Sequence, residues 1–232
     1  RSDEMRSKQF AANVDQLLIV VATEPVFSDD LTGRALTGAW SANISPIILL
    51  NKCDLTNGLA RAQESLQTYR EMGVPIISCS IHEPEQLKRD LLPLLKDKTS
   101  LLLGQSGMGK SSILNVLIPH ARAHTQEHSI ALGTGKHTTT STRLYHLPDQ
   151  TGCLIDSPGF QAFGLYHLTQ TEIANGFPEF KEHIESCRFY NCTHLHEPGC
   201  GVLAALEEGK ISRKRHELYE RILLENQSAT RY

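Results

Sequence analysis

Residues Gly104-Gln105-Ser106-Gly107-Met108-Gly109-Lys110-Ser111-Ser112 have the form G-x-x-x-x-G-K-S, the pattern of a phosphate-binding loop. The chemistry needs this spacing. Glycines at 104, 107 and 109 let the backbone curl until successive N–H groups point inward at phosphate oxygens. Lys110 then reaches the β- and γ-phosphates, and the Ser111 hydroxyl is a ligand for Mg2+. The flanks agree. Ser100-Leu-Leu-Leu103 is a short apolar run that suits a buried parallel strand. Residues Ser112 to Ile118 read as a helix stopped by Pro119, and its N-terminus adds partial positive charge at the phosphate site. A Gly-rich turn without chemistry would not demand strand, loop, Lys and helix in this order. All nine residues from Gly104 to Ser112 are therefore assigned to nucleotide binding.

Two tetrapeptides name the nucleotide. Asn51-Lys52-Cys53-Asp54 has the N-K-x-D form that reads guanine in GTPases. A carboxylate at Asp54 accepts hydrogen bonds from both N1–H and the exocyclic N2–H2 of guanine. Adenine presents neither pattern there and would leave the charge unpaired. Ser80, in Ser80-Ile81-His82, stands where GTPases often carry Ser-Ala-Lys, and it is expected beside the base. Asp156-Ser157-Pro158-Gly159 is D-x-x-G: the carboxylate holds Mg2+ through water, and the Gly159 N–H meets the γ-phosphate. Between the phosphate loop and D-x-x-G runs Gly133-Thr-Gly-Lys-His-Thr-Thr-Thr-Ser-Thr142. Its hydroxyls suit a switch that closes on Mg2+ and the γ-phosphate.

The order of these motifs is permuted. Asn51–Asp54 and Ser80 precede the phosphate loop, and the switches follow it. Circular permutation preserves such a site, because the motifs converge in space whatever the chain order. It changes what the switches connect to: D-x-x-G now runs directly into the C-terminal region. That region carries Cys187-x4-Cys192-x-His194-x5-Cys200. Three thiolates and one imidazole make a closed structural zinc set with no open position for a catalytic water. His183 and His196 are rival ligands.

Composition bounds the alternatives. The 232 residues allow one or two domains. With 40% hydrophobic and 21% charged residues, the chain reads as a soluble globular protein. No apolar run approaches the roughly 20 residues of a membrane span, so no membrane partner is expected. A formal net charge of −3 makes no global case for nucleic acid. From Gly209 to Tyr232, however, six Lys and Arg face three Glu. Cys53, Cys79 and Cys153 lie in or beside apolar runs, and the other three cysteines crowd near the C-terminus. That distribution argues for a metal site in a reducing compartment.

Strands are predicted at Asp15–Ala22, Pro46–Leu50, Val74–Ile77, Ser100–Leu103 and Leu154–Ile155. Helices are predicted over Asn57–Met72, around Leu87–Leu95 with Pro93 bending or shortening it, over Val202–Glu208, and after Ser212 through Leu223. Alternating strands and helices imply an α/β fold, a mostly parallel sheet with helices on both faces. The expected organisation is a circularly permuted P-loop GTPase domain, residues 1–170, followed by a small helical zinc-binding module, residues 171–232.

Taken together, the chain resembles the RsgA/YjeQ family of circularly permuted GTPases. The resemblance rests on Ala11-Ala-Asn-Val-Asp-Gln16, Asn51–Asp54, Gly104–Ser112, His137-Thr-Thr-Thr140, Asp156–Gly159, and Cys187, Cys192, His194 and Cys200 with Glu197-Pro-Gly199. It implies GTP hydrolysis coupled to late maturation of the small ribosomal subunit, with rRNA contact near the decoding region. Family members carry an OB-fold before the Ala-Ala-Asn-x-Asp-Gln stretch, and this chain starts too late to contain it. The resemblance also makes His137 the catalytic histidine, with Thr139 (or Thr140) as the switch ligand of Mg2+. Phe160 follows Gly159 where many GTPases place a water-orienting Gln, so slow intrinsic hydrolysis is expected. A monomer in the cytoplasm is expected. A nucleotide-gated binding module with incidental hydrolysis is the competing reading; a P-loop kinase or ATPase is disfavoured by Asn51–Asp54.

Overall fold

The computed structural model describes residues 13–119, 121, 142–158 and 164–229. His137, Thr139, Thr140, Gly159 and Phe160 lie outside the described residues. The chain forms two compact units, one drawn from Arg1–Phe27 and Ser45–Gln161, the other from Ser28–Ile44 and Ala162–Tyr232.

The first unit is built on a six-stranded sheet. In chain order its strands are β1 (Gln16–Ala22), β2 (Ser45–Asn51), β3 (Ile76–Ser78), β4 (Thr99–Gly104), β5 (Arg143–His146) and β6 (Cys153–Asp156). In space they run β3-β2-β1-β4-β6-β5. All neighbours are parallel except β5, which pairs antiparallel with β6. Every residue of β1 is buried, as are six of the seven of β2. Such unbroken Leu/Ile/Val runs are what a strand covered on both faces requires. Leu18, Ile48, Leu49 and Leu102 are fully buried, each worth about 1.5–3 kcal/mol of transfer free energy. The buried polar exceptions are paired: the Gln16 side-chain amide donates to Ser100 Oγ (2.7 Å) and to the Leu94 carbonyl (2.9 Å).

Helices α2 (Leu59–Glu71), α3 (Pro84–Leu95) and α4 (Lys110–Leu117) make the connections. Helix α2 buries Ala62, Leu66 and Tyr69 at helical spacing and gives way to Gly73 at φ +80°, a conformation that glycine adopts without steric cost. Helix α3 buries Leu87, Leu91 and Leu95 and keeps Pro93 inside its last turn. Pro93 removes one i→i−4 hydrogen bond, the one to the Arg89 carbonyl, and the helix ends two residues later. The sheet grows outward from β1 through β2 to β3, then returns across β1 to β4. Right-handed crossovers place connections running in opposite directions on opposite faces.

The second unit comprises α1 (Asp29–Ser41), α5 (Gln170–Asn175), a 3-10 turn (Pro178–Phe180), α6 (Lys181–Ile184), α7 (Gly201–Glu207) and α8 (Arg213–Ala229). Its core centres on Phe177, Phe180 and Tyr219, with ring centroids 5.0–5.2 Å apart. Arg215, 1% exposed, lays its guanidinium 4.2 Å from the Phe177 centroid and bonds Glu179 at 2.6 Å. Helix α1 is the unexpected member. It shows no apolar stripe in sequence, because its buried face is made largely of small residues (Gly33, Ala35, Thr37 and Ala39) around Leu36. Ser28 Oγ caps it by accepting from the Leu31 N–H, with Asp29 and Asp30 in the first turn. Small residues permit close approach: a Cβ on Gly176 would come within 2.6 Å of Thr37. Arg34 then reaches Glu225 of α8 through two hydrogen bonds, 2.8 and 2.7 Å, and Asp30 at 2.6 Å.

Candidate nucleotide and metal sites

Beside β1, strand β4 marks where the connections reverse direction, and ligands of open parallel sheets bind beyond the strand ends at such a point. The phosphate loop begins at the end of β4. Gly107 and Gly109 take φ +85° and +88°, the left-handed region that favours glycine. A Cβ at Gly109 would collide with the Asn51 amide, and one at Gly104 would lie 2.7 Å from the Val20 carbonyl. Backbone and loop are that close because Asn51, buried at the end of β2, donates from Nδ2 to the Met108 carbonyl at 2.9 Å. Lys52 donates to the Gly107 and Glu24 carbonyls, both at 2.8 Å. Two residues of N-K-x-D thus hold the phosphate loop in shape, leaving Asp54 to face outward.

The Asp54 carboxylate accepts from Ser80 Oγ at 2.5 Å. That hydroxyl, first among the causes, holds the carboxyl below the usual range, with smaller help from a backbone N–H, His82 and Lys52. Ser80 Oγ also accepts from the His82 N–H at 3.1 Å, and His82 Nε2 lies 3.9 Å from Asp54. Asp54 and Ser80, 26 residues apart in sequence, therefore form one acceptor surface.

Lys110 and Asp156 meet at the start of α4 and the end of β6. Their Nζ···Oδ1 distance is 2.5 Å, and their side chains are 7% and 4% exposed. Lys110 Nζ also donates to the Ser157 carbonyl at 2.6 Å. Ser111 and Ser112 are half-buried in the first turn of α4, Gln105 is half-buried and Ser106 exposed. The residues present suit a phosphate chain with a divalent cation: an ammonium, a hydroxyl, a carboxylate and a glycine-shaped backbone cradle. Sequence reasoning missed Thr23. Fully buried just past β1, it donates from Oγ1 to the Lys52 carbonyl at 2.8 Å, fixing the turn that presents Asp54. Its only signal was its place after a strand at the sheet's reversal point.

In the second unit, the donor atoms of Cys187, Cys192, His194 and Cys200 all lie within 4.8 Å of one another. His194 Nδ1 is 3.6 Å from Cys187 Sγ and 3.5 Å from Cys200 Sγ, and those two sulfurs are 3.9 Å apart. A tetrahedral ion bound at zinc-like bond lengths needs edges of about 3.6 Å (N···S) and about 3.8 Å (S···S). The set can hold a metal ion. Burial pushes Cys192 up to about 12 and Cys200 upward, and it pushes His194 down. Buried thiols resist ionisation unless a cation compensates them, whereas a neutral imidazole is already a ligand. The sulfurs also accept backbone N–H groups, Gly201 to Cys187 at 3.3 Å and Leu203 to Cys200 at 3.5 Å. Behind the ligands, burial would raise the Glu197 carboxyl, but Thr193 donates from its hydroxyl and backbone N–H, holding it to about 2. His216 Nε2 lies 2.8 Å from the His194 carbonyl, and the Tyr219 hydroxyl donates to the Thr193 carbonyl at 2.9 Å. The rival residues His183 and His196 are not in the set.

A phosphate-loop motif on a central parallel strand, the N-K-x-D carboxylate two strands away and a motif order opened ahead of that loop fit a circularly permuted P-loop GTPase. Solved structures agree. YjeQ from Thermotoga maritima superposes with a TM-score of 0.75 at 30% identity over 94% of this chain and 73% of its own. YloQ, described as a circularly permuted GTPase, gives 0.72 at 30% identity, over 94% and 69%. The small ribosomal subunit biogenesis GTPase RsgA of Bordetella pertussis is 65% identical over 232 residues, all of this chain and 77% of the relative. That of Ralstonia pickettii is 54% identical over 231 residues, 98% of this chain and 73% of the relative. The family model for RsgA GTPase matches residues 1–166. This chain belongs to the RsgA GTPase family.

Proposed function

We propose that the protein hydrolyses GTP to assist late maturation of the small ribosomal subunit, its nucleotide state controlling binding and release. The observation that supports this best is the Asp54–Ser80 pair facing outward from a phosphate loop that Asn51 and Lys52 hold in shape. The names of the relatives supply the ribosomal context. In this reading the first unit handles nucleotide, and the second unit, with its metal set, carries the subunit contact. The expected division of function at residue 170 is kept as part of this proposal, although the compact units divide after residue 161 and Ser28–Ile44 belongs with the second.

The roles follow from the chemistry of each group. Asp54 accepts the guanine N1–H and N2–H2, and the phosphate-loop N–H groups with Lys110 bind the β- and γ-phosphates. Ser111, Thr139 and, through water, Asp156 would hold Mg2+, which would supply positive charge against the phosphate oxygens. Gly159 donates its N–H to the γ-phosphate. His137 orients the attacking water, a task that Phe160 has no polar atom to perform. Lys110 stabilises the charge that develops as the γ-phosphoryl leaves. Cys187, Cys192, His194 and Cys200 would hold one structural zinc ion. Cytoplasmic placement and a monomeric state complete the reading. Among the described residues no helix is long and apolar enough to cross a membrane.

The test is turnover. Purified protein should hydrolyse GTP slowly alone and faster with small ribosomal subunits. His137→Ala should lose most of that stimulation with GTP affinity nearly unchanged. Equal affinity for ATP and GTP in calorimetry would overturn the nucleotide assignment. Full stimulated turnover in His137→Ala would remove that residue from the mechanism. Subunit binding that follows GTP occupancy without any stimulated turnover would favour a nucleotide-gated binding module.

A further inference from the structure

Between Cys187 and Cys192 the chain turns outward through Arg188-Phe189-Tyr190-Asn191, and all four residues are exposed. Phe189 is 41% and Tyr190 103% exposed. Two consecutive aromatic rings left in water forgo the burial that their neighbours Phe177, Phe180 and Tyr219 obtain in the core. The loop is nonetheless held. The Arg188 N–H donates to the Gly199 carbonyl at 2.9 Å, and the Cys192 N–H donates to the Phe189 carbonyl at 3.2 Å. Both ends are members of the Cys3His set. The Arg188 guanidinium sits 5.5 Å from the Phe189 ring centroid, within cation–π range.

We propose that Phe189 and Tyr190 form a stacking platform for unpaired RNA bases, held in place by the metal-binding turn. The proposal rests on the reading of the second unit as the RNA-facing one. Three features favour this occupant. Every base offers a flat face to a ring, and such stacking needs no groove. The exposed apolar surface is two rings flanked by Arg188 and Asn191, too small and too polar at its rim for a stable protein partner. Arg188 and Lys181 are balanced by Glu182 and Glu185, all four exposed, so this stretch lacks the excess of cations that gripping duplex phosphates needs.

The experiment uses the full chain with its metal and a fluorescein-labelled, unstructured 12-nucleotide RNA, read by anisotropy beside a duplex of the same sequence. The wild type should bind the single strand more tightly than the duplex. Phe189→Ala with Tyr190→Ala should weaken single-strand binding by about ten- to one-hundred-fold. The salt dependence should keep its slope, because no phosphate contact is lost. Phe189→Tyr and Tyr190→Phe should stay within about two-fold of wild type, since the rings remain. Metal content and GTP affinity should not change in any variant. Wild-type affinity in the double alanine variant, preference for duplex, or no single-strand binding by the wild type would each overturn the platform. With GTP binding intact, none of those outcomes touches the GTPase assignment. Failure to discriminate GTP from ATP would instead strike the reading on which the proposal stands.

Discussion

In the proposed reading nucleotide identity turns on Asp54, and the geometry of that carboxylate sets a pH rule. The Ser80 hydroxyl keeps its carboxyl below the ordinary range. A carboxylate with a lowered pKa stays charged above that value and is lost only as pH falls through it. The contribution of Asp54 to GDP affinity should therefore be flat between about pH 5 and 8. In Ser80→Ala the acid-side loss should begin at higher pH, which titration calorimetry at several pH values would reveal; an unchanged profile would mean the hydroxyl does not tune the carboxylate. Asp54→Asn should weaken GTP and GDP by more than about ten-fold. It should also improve binding of xanthine nucleotides, whose C2 carbonyl accepts from the new amide. At this scale much was legible, because Lys110, Asp54, Asp156 and the cysteines belong to motifs whose spacing encodes chemistry. What spacing does not encode is a side chain that acts on a neighbour's backbone. Thr23 is of that kind, and so is the inward turn of Asn51 toward Met108.

Among the elements, the apolar strands β1, β2 and β4 were readable from composition alone, since burial on both faces leaves only Leu, Ile and Val to choose. Helix α1 and the edge strand β5 were not. The first hides its buried face in Gly, Ala and Thr, and β5 has one buried residue, Tyr145, in four. The role of α1 can be tested through Arg34. Its side chain is 9% exposed, but its partner carboxylates are 38–39% exposed and can rehydrate. Arg34→Met, which keeps the stem, should lower protection of α1 and α8 amides by about 1–2 kcal/mol in hydrogen exchange. No change would show the ion pairs to be incidental. The turn between α6 and α7 is the other exposed dependency. Structural zinc in small peptides contributes about 10–16 kcal/mol, and the single core cluster of this unit has Cys192 and Cys200 among its 14 buried members. Cys192→Ser should lose the metal and the protease resistance of residues 164–229 together. Metal loss with resistance intact would make the ion dispensable for folding.

For the whole molecule, the chain passes between the two units three times, after residues 27, 44 and 161. The permuted order accounts for the last passage, since D-x-x-G leads straight into the C-terminal unit, and α1 adds the other two. The first amino acids to fold into that unit are thus made well over a hundred residues before the rest of it. A single cut therefore does not yield two self-sufficient pieces. Protein carrying an engineered protease site at residue 161 should, after cleavage, migrate as one species on a sizing column, because the N-terminal fragment still contributes α1 to the unit completed by the C-terminal one. Separation of the fragments without denaturant would contradict this. If it holds, the molecule is a natural split protein: residues 1–161 and 162–232, synthesised as separate chains, would have to find each other before the second fragment could close its core. Any truncation intended to isolate the GTPase would leave behind a helix whose buried face, from Thr32 to Ala39, has lost its partners.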